Sequence, residues 1–365
     1  MTSRQMKYVA CLAAATVGGL GTAPPADAAE RHAVQHRHAV HRYAIHRAEP
    51  TIQAAVDAAR PGDTVVIPPG VYRESVLITK PRVTLRGSGR KTVISPPAER
   101  AENACGQQGN GICVIGGPGH RLRGVTIRSL TVAGFKKNGI WASGTSRLRV
   151  RNVRARNNGQ WGIALEKSVR SSVRHNSVRG NGDAGIFLAN TVEEEGGATD
   201  TRGTTVNNNR AVGNRIGITI RRVRNLRADG NRITGNCAGV FVVGDESRPR
   251  AGDLSVSGNV VSDNNKHCPA TKRLPFLQGV GIVLTGAEET RVGGNLVHRN
   301  VGTSPLSGGI VLFPSFAKAP NERNVISGNS ALGNQPADLL NLDPAGSGNR
   351  FAGNQCRTSK PAGLC

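Results

Sequence analysis

Apolar positions along this chain follow two periods. Over residues 51–59 the period is helical: Ile52, Ala55, Val56 and Ala59 share one face, and Pro61-Gly62-Asp63 ends the run. Beyond it the chain breaks into short β-like runs, first at Val65–Ile67, Val76–Ile78, Val83–Leu85 and Thr92–Ile94, with Pro68-Pro69-Gly70 as a turn. A Gly/Pro-rich insertion over residues 96–120 follows, and from Arg121 onward the runs become regular.

The regular part is a repeat. Asparagines followed five residues later by another recur along it, as in Asn152/Asn157, Asn176/Asn181, Asn209/Asn214, Asn231/Asn236, Asn259/Asn264, Asn295/Asn300, Asn329/Asn334 and Asn349/Asn354. Two residues after the first Asn stands an apolar residue in every pair but one, where Arg154 is the exception. Glycines followed by Ile or Val recur at Gly139, Gly162, Gly185, Gly217, Gly239, Gly281 and Gly309, with spacings of 23, 23, 32, 22, 42 and 28. A basal period near 22–23 with insertions is the signature of a solenoid, in which each coil stacks only on its neighbours. Each coil reads as three short strands: one in the Gly-Ile segment, one before the Asn pair and one between its members. Alternation sends Ile163, Leu165, Ile186, Leu188, Ile218 and Ile220 inward.

Stacked strands lie about 4.8 Å apart, so an Asn turned inward at a bend can bond its equivalents above and below. Asn also tolerates the left-handed backbone of tight bends. The asparagines therefore read as scaffold. The helix over 51–59 reads as a cover for the open end of the solenoid, whose unpaired backbone and apolar interior need one.

Composition places the chain. Arg4 and Lys7, the apolar run Val9–Leu20 and Ala26-Asp27-Ala28 read as an export signal over residues 1–28. That run is too short to span a bilayer, and no other segment is a candidate span. Residues 29–49, with His32, His36, His38, His41 and His46 among arginines, read as a flexible linker, weak transition-metal binding being the other reading. A single domain is expected over 50–365, as a secreted monomer. The formal charge is +24, and only ten of the 48 basic residues are Lys. Such a field favours anionic partners, here an acidic polysaccharide or cell-wall glycan. Aromatics at 3% argue against a stacking platform for nucleic acid, so no specific nucleic-acid partner is expected. The six cysteines beyond the signal suggest three disulfides. Fifteen pairings are open; the repeat register favours Cys237–Cys268 across adjacent coils, with Cys105–Cys113 closing a local loop and Cys356–Cys365 pinning the C-terminus. Zinc is disfavoured, because paired C-x-x-C spacing is missing.

The stretch Thr51-Ile52-Gln53-Ala54-Ala55-Val56, followed by Pro61-Gly62-Asp63-Thr64-Val65 and Pro69-Gly70-Val71-Tyr72-Arg73-Glu74, resembles the N-terminal start of the right-handed parallel β-helix, or pectin-lyase-like, superfamily. The Asn and Gly-Ile repeats resemble its coils. The resemblance implies an all-β right-handed parallel β-helix of about ten coils with an N-terminal capping helix. It also implies a substrate groove along one sheet, flanked by loops. The Gly-Ile strands match that sheet, the asparagines match the turn between the other two, and the walls would be Thr191–Gly203, Gly244–Gly252, Lys266–Gln278, Val301–Ser307 and Ser315–Asn321. The superfamily hosts polysaccharide lyases, polygalacturonases, uronan epimerases, copper-site maturation proteins and adhesins. The Asn-Thr-Asp, Gly-His-Gly and Arg-Ile-Lys motifs of polygalacturonases and the Asp-Pro-His motif of alginate epimerases are missing from this chain. No cofactor is expected: calcium would suit the superfamily, but no Asp cluster resembles the pectate-lyase calcium site.

Counting from each Gly gives two outward columns on the Gly-Ile sheet. One runs Trp141, Ala164, Phe187, Thr219, Phe241, Val283, Val311; the other runs Ser143, Glu166, Ala189, Arg221, Val243, Thr285, Phe313. Trp141, Phe187, Phe241 and Phe313 are candidate sugar-stacking residues; a second small core beneath the insertions is the competing reading. Glu166, Asp183, Arg215 and Arg221 are the catalytic candidates. A uronan lyase or epimerase must remove a proton beside the sugar carboxylate and stabilise the enolate. Arg221 would neutralise the carboxylate, and Glu166 or Asp183 would be the base; surface ion pairing is the competing reading. The functions in view are binding of an acidic polysaccharide with cleavage or epimerisation, a non-catalytic glycan-binding or cell-surface module, and a metal-site maturation factor.

Overall fold

The computed structural model describes residues 42–44, 51–99, 103–117, 119–192 and 196–365. The export signal and the histidines of the linker lie outside the described residues, as does the charge run Glu193-Glu194-Glu195. Within the described residues the chain winds into coils of three short strands, and every ladder pairing is parallel. The strands assemble into a first sheet of 12 strands, a second of 10 and a third of 11. In coil order the first sheet precedes the first Asn of each pair, the second lies between the two asparagines, and the third is the Gly-Ile sheet. The pairings Val150↔Val173, Ala155↔Val178 and Ile163↔Ile186 advance every sheet by one coil of 23 residues.

The helix α1, Ile52–Ala58, covers the start of the solenoid. The Thr51 side chain accepts from the Ala54 N–H, and the Glu74 carboxylate accepts from the N–H groups of Ile52 and Gln53 at 2.9 and 3.0 Å. Three otherwise unpaired helix donors are thereby satisfied. Ile52 and Val56 are buried against the first coil. One departure concerns the linker: Arg42–Ala44 form a strand that pairs with Thr64–Val66, so a fixed element does exist before residue 50 and adds a further strand to the first sheet.

The interior is one continuous aliphatic core. Ile163, Leu165, Ile186, Leu188, Ile218 and Ile220 are all within it, as alternation predicts. Polar ladders line two of its corners. Asn176, Asn209, Asn231, Asn259, Asn295, Asn329 and Asn354 form one, each Nδ2 donating to the Oδ1 of the next at 2.9–3.0 Å. Asn158, Asn181, Asn214, Asn236, Asn264, Asn300 and Asn334 form the other, ending on the Asp338 carboxylate. Asn231 shows the full pattern: its N–H and Nδ2 both donate to Asn259 Oδ1, and Nδ2 also donates to the Val206 carbonyl. No buried amide is left unpaired there, which is the condition for keeping polar groups in a core.

The ladders correct the register at both ends. Asn152 and Asn157 are exposed and sit in the left-handed region. The ladder positions of that coil are Val153, whose N–H donates to Asn176, and Asn158. Counted from Val153, the residue two along is the buried Ala155 and not Arg154, so the one irregular pair was a false register. At the other end Asn349 and Asn354 flank a strand of the first sheet, Arg350–Ala352, with Asn349 accepting from Asn324. The second ladder also lies at the turn entering the Gly-Ile sheet, and not between the other two sheets. That placement explains the glycines. A Cβ on Gly162 would lie 2.8 Å from the Asn181 amide nitrogen and 2.6 Å from the Gly185 carbonyl, closer than any side chain tolerates.

Candidate functional site

The three disulfides pair as the register favours: Cys105–Cys113, Cys237–Cys268 and Cys356–Cys365. Cys268 and its loop lie over the outer face of the Gly-Ile sheet and decide which part of that face is open.

Both outward columns have the expected membership. Trp141↔Ala164, Ala164↔Phe187, Phe187↔Thr219, Thr219↔Phe241 and Phe241↔Val283 are register partners. Ser143↔Glu166, Glu166↔Ala189 and Ala189↔Arg221 are likewise. Exposure decides between the two readings of these rings, and for Phe187 and Phe241 it favours the second core beneath the insertions. Phe241 is 1% and Phe187 6% exposed, within a second core that includes Cys237, Cys268, Leu277, Val283, Leu306 and Val311. Leu277 and Leu306 belong to the insertions expected as walls, and both are fully buried on the sheet. These insertions close over the coils of Phe241, Val283 and Val311 instead of flanking a groove. Burying such rings releases far more apolar surface from water than leaving them as a sugar platform. Phe187 and Phe241 are therefore packing residues. Phe313, half-buried, pairs with the exposed Phe316 at 5.7 Å near the far end.

Trp141 is different. It lies on an early coil, half-buried, and stacks on Trp161 at 5.8 Å; Trp161 in turn stacks on Phe187 at 4.0 Å. Trp161 escaped the column count because it stands in the turn just before Gly162, two residues ahead of the strand Ile163–Glu166. Its indole N–H donates to Asp183 Oδ2 at 3.0 Å. Trp141 and Trp161 line a cavity of about 330 Å³ together with Lys137, Gln160, Glu166 and Lys167. Thr191 and Val192 close one side.

The four catalytic candidates do not converge. Glu166 lines the cavity, with Oε2 accepting from Ser143 Oγ and Oε1 from the Val192 N–H, each at 3.0 Å. Arg221 donates to the Thr191 and Val192 carbonyls, so it holds the same loop from the far side and does not line the cavity. Asp183 and Arg215 lie at the opposite edge of the sheet, before their glycines. Arg215 is buried and donates to the Pro269 carbonyl at 2.7 Å, tying down the covering loop. Burial pushes the Asp183 carboxyl above its ordinary value, against the Trp161 hydrogen bond and the Arg215 charge, which both pull it down. Its partner's burial pushes the Arg215 guanidinium down. A buried acid that orients an indole and a buried arginine that anchors a loop are structural roles. Only Glu166 of the four is placed to meet a ligand in the cavity.

Among the described residues no group of three or more His, Cys, Asp or Glu could hold a metal ion, and no helix is long and apolar enough to cross a membrane.

The winding, the three parallel sheets and the internal ladders decide the fold. The chain is a right-handed parallel β-helix. The family model described as "Right handed beta helix region" matches residues 101–251. Among solved structures, the A-module of mannuronan C-5 epimerase AlgE6 from Azotobacter vinelandii is similar at 20% identity and TM-score 0.60, over 83% of this chain and 88% of that one. DFA-IIIase from Arthrobacter chlorophenolicus A6 gives 16% identity and TM-score 0.59, over 86% and 87%. Alginate lyase from Paenibacillus sp. str. FPU-7 gives 15% identity and TM-score 0.50, over 86% and 96%. No curated protein matches the chain. At these identities the likeness concerns the fold of the β-helix, and its chemistry has to be argued from its own residues.

Proposed function

We propose that this β-helix protein is exported and binds an acidic polysaccharide in the Trp141–Glu166 cavity, at the N-terminal end of the Gly-Ile sheet. The observation that carries the reading is the joint presence, in one cavity, of an aromatic face, a fixed carboxylate and two lysines. An indole offers its face to the apolar side of a sugar ring. Lys137 and Lys167 offer ammonium groups to a sugar carboxylate, and Glu166 and Gln160 offer acceptors to hydroxyls. Three disulfides suit an oxidising compartment and so support export.

Two of the similar structures are named as a mannuronan epimerase and an alginate lyase, which suits a uronan as the ligand class. For turnover of either kind, Glu166 is the group that would take the proton beside the uronate carboxylate, with a cavity lysine facing the developing enolate. The competing reading is a non-catalytic glycan-binding module. It is favoured by the two donors already occupying both Glu166 oxygens, and by the engagement of Arg215 and Arg221 with loop carbonyls.

Oligouronates incubated with the protein separate these readings. A lyase yields an unsaturated product absorbing in the ultraviolet, an epimerase changes sugar configuration without it, and a module binds without turnover. Binding of neutral and acidic oligosaccharides with equal affinity would overturn the acidic-glycan reading itself.

A further inference from the structure

The first sheet carries charge in a pattern that the cavity does not use. Its inward column, Leu85, Ile127, Val150 and Val173, is fully buried. One outward column beside it stacks Arg86, Arg128, Arg151 and Arg174 on four successive coils. The next members of that column are Asn207, Asp229 and Ser257, so the run of arginines belongs to the early coils alone. Like charges about 4.8 Å apart repel, and such a stack persists only against that cost. Among the described residues none of the four makes an ion pair. The Nε atoms of Arg128 and Arg151 are buried with no hydrogen-bond partner. Burial, and then the charges of Arg86 and Arg151, push Arg128 below its ordinary value.

We propose that the Arg86–Arg128–Arg151–Arg174 ladder is a second docking surface, for a linear polysaccharide bearing one carboxylate per sugar ring and lying along the solenoid axis. A guanidinium fork binds a carboxylate in two parallel hydrogen bonds, and the ladder repeats that fork once per coil. The coil spacing is close to the length of one sugar ring. Duplex DNA presents a phosphate about every 3.4 Å per strand, which runs out of step with the ladder. The column also contains no aromatic side chain to stack a base. Such a surface would hold the protein on its polymer while the cavity on the Gly-Ile sheet engages individual sugars. It shares a ligand class with the cavity but none of its residues.

The test uses the full chain and compares polygalacturonate, a neutral glucan and duplex DNA at fixed ionic strength. The variant Arg128→Ser/Arg151→Ser should lose at least tenfold in affinity for polygalacturonate and show a flatter dependence of binding on salt. Arg128→Lys/Arg151→Lys, which keeps the charge but not the fork, should fall between this variant and the parent, and serves if the serine variant does not fold. Arg227→Ser/Arg291→Ser, on late coils of the same sheet, should bind as the parent does. Unchanged affinity in the Arg128/Arg151 variant overturns the proposal, and so does duplex DNA binding more tightly than polygalacturonate. Failure of the cavity reading shows separately, as unchanged oligouronate binding by Trp141→Ala.

Discussion

Early and late coils of this solenoid share one scaffold and use it differently. On late coils the outer face of the Gly-Ile sheet is sealed: Phe241, Val283 and Val311 lie under loops, and Cys237–Cys268 fastens one of those loops. Three arginines there are matched with acids. Arg224, Arg250 and Arg323 surround Glu288 and Glu322, at 2.6–3.1 Å for the closer contacts. On early coils the same column presents Trp141 to a cavity, and among the described residues Arg86, Arg128, Arg151 and Arg174 of the first sheet make no ion pair. A repeat protein stabilises each coil through its neighbours, so it can leave a polar or charged face unsatisfied on some coils while others make up the stability. On the proposed reading, the difference puts the binding surfaces at the N-terminal end.

The largest test of the contrast is a pair of truncations in one column. Phe241→Ala should cost about 3–5 kcal/mol, the range for emptying a buried aromatic site. Trp141→Ala should cost less, since only part of its ring is buried and its stacking contact adds no more than about 1.5 kcal/mol. Denaturant unfolding measures both, and equal losses would erase the distinction between covered and open coils.

The ladders give the next test. Asn231→Ala orphans the Asn209 amide and the Val206 carbonyl, at about 1–3 kcal/mol for each buried group left unpaired. Asn157→Ala, exposed and off the ladder, orphans no ladder partner and should cost only about 1 kcal/mol, from a left-handed backbone that Ala tolerates less well than Asn.

A smaller effect distinguishes the two regions by pH. Burial alone pushes Glu288 up, but the hydrogen bond from Arg224 and the charges of Arg224, Arg250 and Arg323 outweigh it and hold the carboxyl below its ordinary value. A carboxyl depressed by folding stabilises the fold above its unfolded pKa and loses that contribution as pH falls through the folded value. Asp183, raised by burial, has the opposite sign: its ionised form is penalised, and acidification relieves the penalty. Amide exchange, corrected for intrinsic rates, should therefore show protection falling in Gly252–Ser257 and Arg291–Gly293 on acidification into the carboxylate range. Protection in Ala184–Ala189 should hold or rise. Loss of protection in all three strands together would contradict the assignment.

The sequence carried the scaffold almost completely, because the scaffold is a period. Asparagines at ladder positions and glycines beside them recur for a steric and hydrogen-bonding reason that repeats every coil. Even the exceptional Arg154 was informative, since it marked a register off by one. The site was less legible because it depends on where insertions fold. Alternation correctly sent Phe241 outward from the main core, yet nothing in the spacing told that Leu277 and Leu306 would cover it. Trp161 lay outside the counted columns, and its place beside Trp141 comes from stacking in the turn. The arginine ladder, by contrast, was present as a period in Arg128, Arg151 and Arg174, and was absorbed into the general basic charge.

The claim that the N-terminal end is the binding end rests most directly on one measurement: titration of the parent, Trp141→Ala and Phe313→Ala with an acidic oligosaccharide, folding checked in each. Trp141→Ala should lose at least tenfold in affinity while Phe313→Ala binds as the parent does. Binding lost in Phe313→Ala and kept in Trp141→Ala would place the site at the other end of the solenoid and contradict the account.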